Sequence, residues 1–224
     1  MRLLTLILAS AALLRPLAPQ NFDRCKRVQH AAEECQLDVG GELRYINSDN
    51  VLCIDKDITT PDGFIDRLKS AHVRNGVIVD INSYGGDVQS FIDLANYLSR
   101  LDYRIVVSRK CLSSCGQFIF LASSNRFIVG DGQVLMHGVP YSDGELISLN
   151  VEPTMKAALK RVNAKFRDFL TARHIPERLL IGDSRSTGRI VGINGVDMWM
   201  PSLRDYRSNG IAVTECNALR YKSS

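Results

Sequence analysis

The chain has 224 residues, 45% hydrophobic and 23% charged, the balance of a globular protein able to bury a core rather than of a disordered chain. Its formal net charge is +4, and no cluster of Lys and Arg marks a nucleic-acid surface. Removing residues 1–20 takes away Arg2 and Arg15 and no acid, which leaves about +2.

The chain opens on a leader. Met1-Arg2 is a short basic start, Leu3 to Leu14 is an apolar run of about a dozen residues, and Arg15-Pro16 ends it. A membrane-crossing helix needs roughly 20 apolar residues. The run therefore reads as a secretory signal peptide over residues 1–20, with no stable membrane span expected once it is removed. Residues 21–224 contain no repeat, low-complexity tract or long linker, and read as one domain. Six cysteines follow the leader: Cys25, Cys35, Cys53, Cys111, Cys115 and Cys216. An even count in an exported chain favours disulfides, whose pairing the sequence leaves open. No CxxC pair or suitably spaced His accompanies them, so no metal site is expected.

In chain order, a polar helical stretch spans Asp23 to Gln36, and strand-like runs follow at Glu42–Ile46 and Val51–Ile54. Pro61 to His72 reads as a helix with Phe64, Ile65 and Leu68 on one face. The β-branched run Gly76 to Asn82 reads as a buried strand, and Ser83-Tyr84-Gly85-Gly86 as a turn. Asp87 to Leu101 is an amphipathic helix through Val88, Phe91, Ile92, Ala95 and Leu98. Arg104–Ser108 is a strand, Ser114–Ser123 a buried apolar helix, and Arg126–Val129 and Gln133–Met136 are short strands. Met155, Leu159, Val162, Phe166 and Phe169 mark a long helix. Asp197-Met198-Trp199 reads as a short helix and Gly210–Val213 as the last strand. Such alternation predicts an α/β fold built of βαβ units.

Two features fall where this architecture places ligands, at strand-to-helix turns beyond the carboxyl ends of strands, and a histidine at a strand tip joins them. Gly85-Gly86 can bring backbone N–H groups up to a developing negative charge, although a plain tight turn also accounts for it. Cys111-Leu112-Ser113-Ser114-Cys115-Gly116 leads from a strand into a helix. A serine there can be a nucleophile, with the Cys115 amide facing an oxyanion, or simply a helix cap. His137 ends the run Val134-Leu135-Met136 and supplies the base that a serine needs to react. Ser114 is the candidate nucleophile and His137 the candidate base.

These segments carry a family resemblance. Ile81-Asn82-Ser83-Tyr84-Gly85-Gly86-Asp87-Val88 resembles the Ile-Asn-Ser-Pro-Gly-Gly-x-Val segment of the Clp protease proteolytic subunit. Ser114-Cys115-Gly116-Gln117-Phe118 resembles its Ser-Met-Gly-Ala-Phe segment. Arg126-Phe127 and Val134-Leu135-Met136-His137 resemble the strands that carry its histidine. The likeness covers Val77 to Gly138 and, weakly, Asp197 to Val213. It is closer in style to exported Clp-like proteins with a Cys-x-Ser-x-Cys nucleophile segment. The resemblance implies a ClpP/crotonase-like fold of stacked βαβ units and a serine peptidase activity without a cofactor. By position it implies Ser114 as nucleophile, His137 as base, the Gly86 and Cys115 amides as oxyanion hole, and Asp197 as the acid, with Asp183 as runner-up. Tyr84 departs from the family proline. Cys111 and Cys115 flank the nucleophile as a disulfide, as buried thiols, or with Cys115 as a thiol nucleophile.

The expected partner is a peptide or protein substrate, with a homo-oligomer also allowed by the resemblance. The expected location is the periplasm, since the resemblance is to bacterial proteins. Competing classes are a non-catalytic peptide-binding protein on the same scaffold and a crotonase-like acyl-CoA enzyme. Export to a compartment poor in CoA argues against the second.

Overall fold

In the computed structural model the described residues are 19–37, 43–59, 63–138 and 150–217. The expected leader lies outside them except for Pro19 and Gln20, which open the first helix, α1 (Pro19–Gln36). The architecture is α/β. Among the described residues six strands form the main sheet: β1 (Leu43–Ile46), β2 (Val51–Asp55), β3 (Ile78–Asn82), β4 (Arg104–Val107), β6 (Asn125–Val129) and β10 (Thr214–Cys216), in that spatial order. Only β1 runs antiparallel to its neighbour; the other pairings are parallel. Between them in sequence, β5 (Lys110–Leu112) and β7 (Gln133–Leu135) form a second, parallel pair. A hairpin of β8 (Arg189–Ile193) and β9 (Val196–Met200) joins β7 through a Met136–Trp199 bridge.

The strands read as continuous apolar runs because both faces of the sheet are covered. In β2, Leu52 and Ile54 pack with Val79, Ile81, Ile105 and Val107 against helices α2 (Phe64–Ser70) and α3 (Val88–Ser99). The alternate residues Val51 and Cys53, with Ile78, Val106 and Phe127, face α1. Helix α1 is polar on average, yet Val28, Ala31, Ala32 and Cys35 recur at helical spacing and are all buried. Two disulfides strap it across the sheet: Cys25–Cys216 to β10, and Cys35–Cys53 to β2.

Two expectations fail at the C-terminal end. Asp197-Met198-Trp199 lies in strand β9, not in a helix. The signal was the two-residue Asn194-Gly195 turn, whose residues take φ 50° and 79° and fold the flanking apolar residues into a hairpin. The last strand is Thr214–Cys216 rather than Gly210–Val213, drawn there by pairing with β6 and by the Cys216 disulfide. The apolar segment expected as a helix from Ser114 is π-helical over Cys115–Phe120. Phe118 in it stacks edge-on against Phe166 and Phe169 of the helix Pro153–Ala172.

Asp80 is the exception in the buried sheet. It alternates with Val79 and Ile81 and so shares the face of Ile78, under α1. It is 1% exposed, and only its Oδ1 is bonded, accepting from the Ser108 hydroxyl at 2.9 Å. Burial pushes its pKa up to about 6 against the opposing effects of Ser108 and the Arg109 charge. Because this value exceeds that of the unfolded chain, Asp80 favours the fold fully only below about pH 4. That contribution is lost as pH rises through about 6. Asp80→Asn should therefore flatten the pH dependence of thermal stability between pH 4 and 7 by about 3 kcal/mol at most. Parallel wild-type and variant melting curves across that range would contradict the assignment.

The straps make a second prediction. Cys25 and Cys216 lie 191 residues apart and Cys35 and Cys53 only 18. Removing the first pair by double serine substitution should cost about 2 kcal/mol more in urea denaturation than removing the second.

Candidate active site

The site is a meeting of two turns. Beyond β3 the chain passes through Ser83-Tyr84-Gly85-Gly86 to Asp87, which caps α3 by accepting the Ser90 N–H at 2.8 Å. Gly85 and Gly86 take φ 103° and 140°, a region that side chains disfavour. Space forbids a side chain as well. A Cβ on Gly86 would stand 2.1 Å from the Ile58 carbonyl oxygen, and one on Gly85 would stand 2.9 Å from both the Leu112 oxygen and the Ser113 Cβ. The first glycine thus lets the turn lie against Ser113. The second lets it pair with Ile58.

The other turn follows β5. Ser113 adopts φ 53°, and Ser114 returns to the right-handed region before the π-helical segment. The Ser113 amide bonds the Leu135 carbonyl at 2.9 Å, which fixes the turn to β7. A left-handed residue between a strand and a helix is strained and projects its side chain from a sharp elbow. The Cys111–Cys115 disulfide, with both residues fully buried, closes the loop that contains this elbow. Cys115 is therefore no thiol nucleophile in this structure.

His137 follows β7 where Met136 and Trp199 exchange two backbone hydrogen bonds of 2.7 Å. The hydroxyl it meets is that of Ser113: Ser113 Oγ and His137 Nε2 are 2.7 Å apart. On the other side of the ring, Nδ1 lies 2.9 Å from the Gly138 carbonyl oxygen. A carbonyl can only accept, so Nδ1 carries the hydrogen and Nε2 is left to accept from the serine. Gln117, buried in the π-helical segment, donates its side-chain amide to the His137 carbonyl and fixes that end of the strand.

The expected nucleophile sits elsewhere. Ser114 is 2% exposed and donates its hydroxyl to the Gly86 carbonyl at 3.0 Å. The two serines differ because consecutive residues at a sharp elbow point in different directions: the left-handed residue projects outward and its successor turns in. The expected acids do not reach His137 either. Asp197 is exposed on β9. Continuing the Met136–Trp199 register sets Met198 opposite His137, so Asp197 falls one residue beyond, on the other face. Asp183 is exposed too. It accepts from the Arg185 amide at 2.8 Å and the Ser186 hydroxyl at 3.2 Å, and these bonds, with the Arg185 charge, hold its carboxyl below the usual range.

Among the described residues no acceptor engages the N–H groups of Gly86, Ser114 or Cys115. The junction thus holds a hydroxyl, an imidazole in the tautomer of a base, and free backbone donors at adjoining turns. Among the described residues there is also no group of three or more His, Cys, Asp or Glu placed to hold a metal ion. Gln117 and Gly138 lie within the segments singled out in the sequence, but no role was read for either, because those roles arise from chain crossings.

No family model matches the chain, and no curated protein matches it. Among solved structures it is similar to a mutant of ClpP1 from Listeria monocytogenes, at 17% identity over 74% of this chain and 91% of that one, with a TM-score of 0.48.

Proposed function

We propose that the chain is a serine hydrolase in which Ser113 is the nucleophile and His137 the general base. The 2.7 Å contact between Ser113 Oγ and His137 Nε2 carries this reading. Ser113 attacks a carbonyl carbon while His137 takes its proton. The proton then passes to the leaving group as the tetrahedral intermediate collapses to an acyl-enzyme, which water hydrolyses by the same route. With Ser113 as nucleophile, the amide that follows it is that of Ser114, one residue before the expected Cys115. This amide and that of Gly86 are the donors for the oxyanion. The Gly138 carbonyl takes the orienting role at Nδ1 that the resemblance gave to Asp197.

A peptide bond is the substrate class that the likeness to the Clp protease proteolytic subunit supports, on a ClpP/crotonase-like scaffold. Three disulfides favour an oxidising compartment, and the apolar run at Leu3 to Leu14 favours export, hence the periplasm. Among the described residues no helix is long and apolar enough to cross a membrane.

One observation favours the competing class, a peptide-binding protein without catalysis: among the described residues, no carboxylate bonds His137. A fluorophosphonate probe on the oxidised, leader-free protein separates the two. It should label wild type and Ser114→Ala, fail on Ser113→Ala, and label His137→Ala at least about 100-fold more slowly. A folded wild type that takes no label would support the binding reading. Loss of label in Ser114→Ala alone would restore the sequence-based assignment.

A further inference from the structure

Resting on the Ser113–His137 reading, we propose that Asp57 is a positioning residue for the hydrolase, holding the glycine turn so that the Gly86 amide faces the acyl oxygen. Asp57 belongs to none of the motifs that led to the site. It lies just past β2, next to Ile58, and its carboxylate oxygen Oδ1 accepts from the Tyr84 N–H at 2.6 Å and from the Ser83 hydroxyl at 3.3 Å. Ser83 is 1% exposed, and its oxygen in turn accepts the Gly85 N–H at 3.1 Å. One carboxylate oxygen thus engages the first two residues of the turn directly and the third through a hydroxyl.

The neighbouring backbone completes the grip. The Ile58 N–H donates to the Gly85 carbonyl at 3.1 Å, and the Asp87 N–H donates to the Ile58 carbonyl at 2.7 Å. Asp57-Ile58 therefore takes the N–H of Tyr84 and Asp87 directly and that of Gly85 through Ser83. Among the described residues the Gly86 N–H alone in this turn is left without an acceptor. Such a turn, rich in glycine, would otherwise sample many backbone conformations. A bond from an amide to a carboxylate is stronger than one between neutral groups. The anchoring matters because Gly85 lies against Ser113 and the Gly86 carbonyl receives the Ser114 hydroxyl. A shift of the turn moves both the donor and the elbow that carries the nucleophile.

Fluorophosphonate inactivation kinetics on the oxidised protein test this, with the saturating rate read separately from the half-saturating probe concentration. Asp57→Ala should lower the saturating rate by about tenfold to hundredfold with the half-saturating concentration unchanged, the signature of a donor lost in the transition state. Asp57→Asn keeps an oxygen for the Tyr84 N–H and should recover to within about threefold of wild type. Melting temperatures, with exposed Asp66→Ala as control, separate positioning from unfolding. An Asp57→Ala protein that melts near wild type and reacts at the wild-type rate overturns the proposal while leaving Ser113 in place. So does an Asp57→Asn protein that is folded but as slow as Asp57→Ala. If wild type takes no label at all, the hydrolase reading fails and this role falls with it.

Discussion

The candidate site depends on how closely two pieces of backbone approach each other. The turn after β3 lies directly against the elbow after β5, at a separation that leaves no room for a side chain on Gly85. Everything chemical follows from that contact. It brings the free amide of Gly86 beside the serines, and it gives the Ser114 hydroxyl a carbonyl to satisfy, so that a buried polar group is not left without a partner. The elbow projects the other hydroxyl, that of Ser113, toward the imidazole. Bulk on either side of this contact would separate the groups before any of them could react.

Much of this was legible in the residues. The β-branched run before Gly85-Gly86, the apolar segment after Cys115 and the strand ending at His137 give the order of the parts, and the structure brings the three together. The one-residue offset between the expected nucleophile, Ser114, and the serine that meets His137, Ser113, has a definite origin. The segment Ser-Met-Gly-Ala-Phe aligns on Gly116 and selects Ser114, whereas a Cys-x-Ser-x-Cys frame laid on Cys111 and Cys115 centres on Ser113. Two adjacent serines satisfy both frames. What separates them is a backbone angle, the left-handed conformation at Ser113, and residue types do not reveal it.

The place of Asp197 was less legible because it depends on a strand face. Asp197 sits close in sequence to Trp199, which does pair with the strand before His137. In a helix, as expected, the residue two before Trp199 could swing toward the imidazole. In a strand, the period of two places it on a fixed face and sets a methionine opposite His137 instead. The Asn194-Gly195 turn that makes this a hairpin was visible in the sequence, and it outweighs the helical reading of the residues beyond it. Asp57 was illegible for another reason. Its role comes from pairing between segments that lie far apart along the chain, and a carboxylate in an exposed loop has no local signature.

The Cys25–Cys216 bridge has a consequence for biogenesis. It joins α1 to β10, through residues 191 apart, so it cannot form before Cys216 has been made. No chain that lacks Cys216 can close it, whatever the oxidant available. The helix that covers Asp80 can therefore be fastened at that end only after the chain through Cys216 has reached an oxidant. A chain that stops short of Cys216 is left with an unpaired thiol at Cys25.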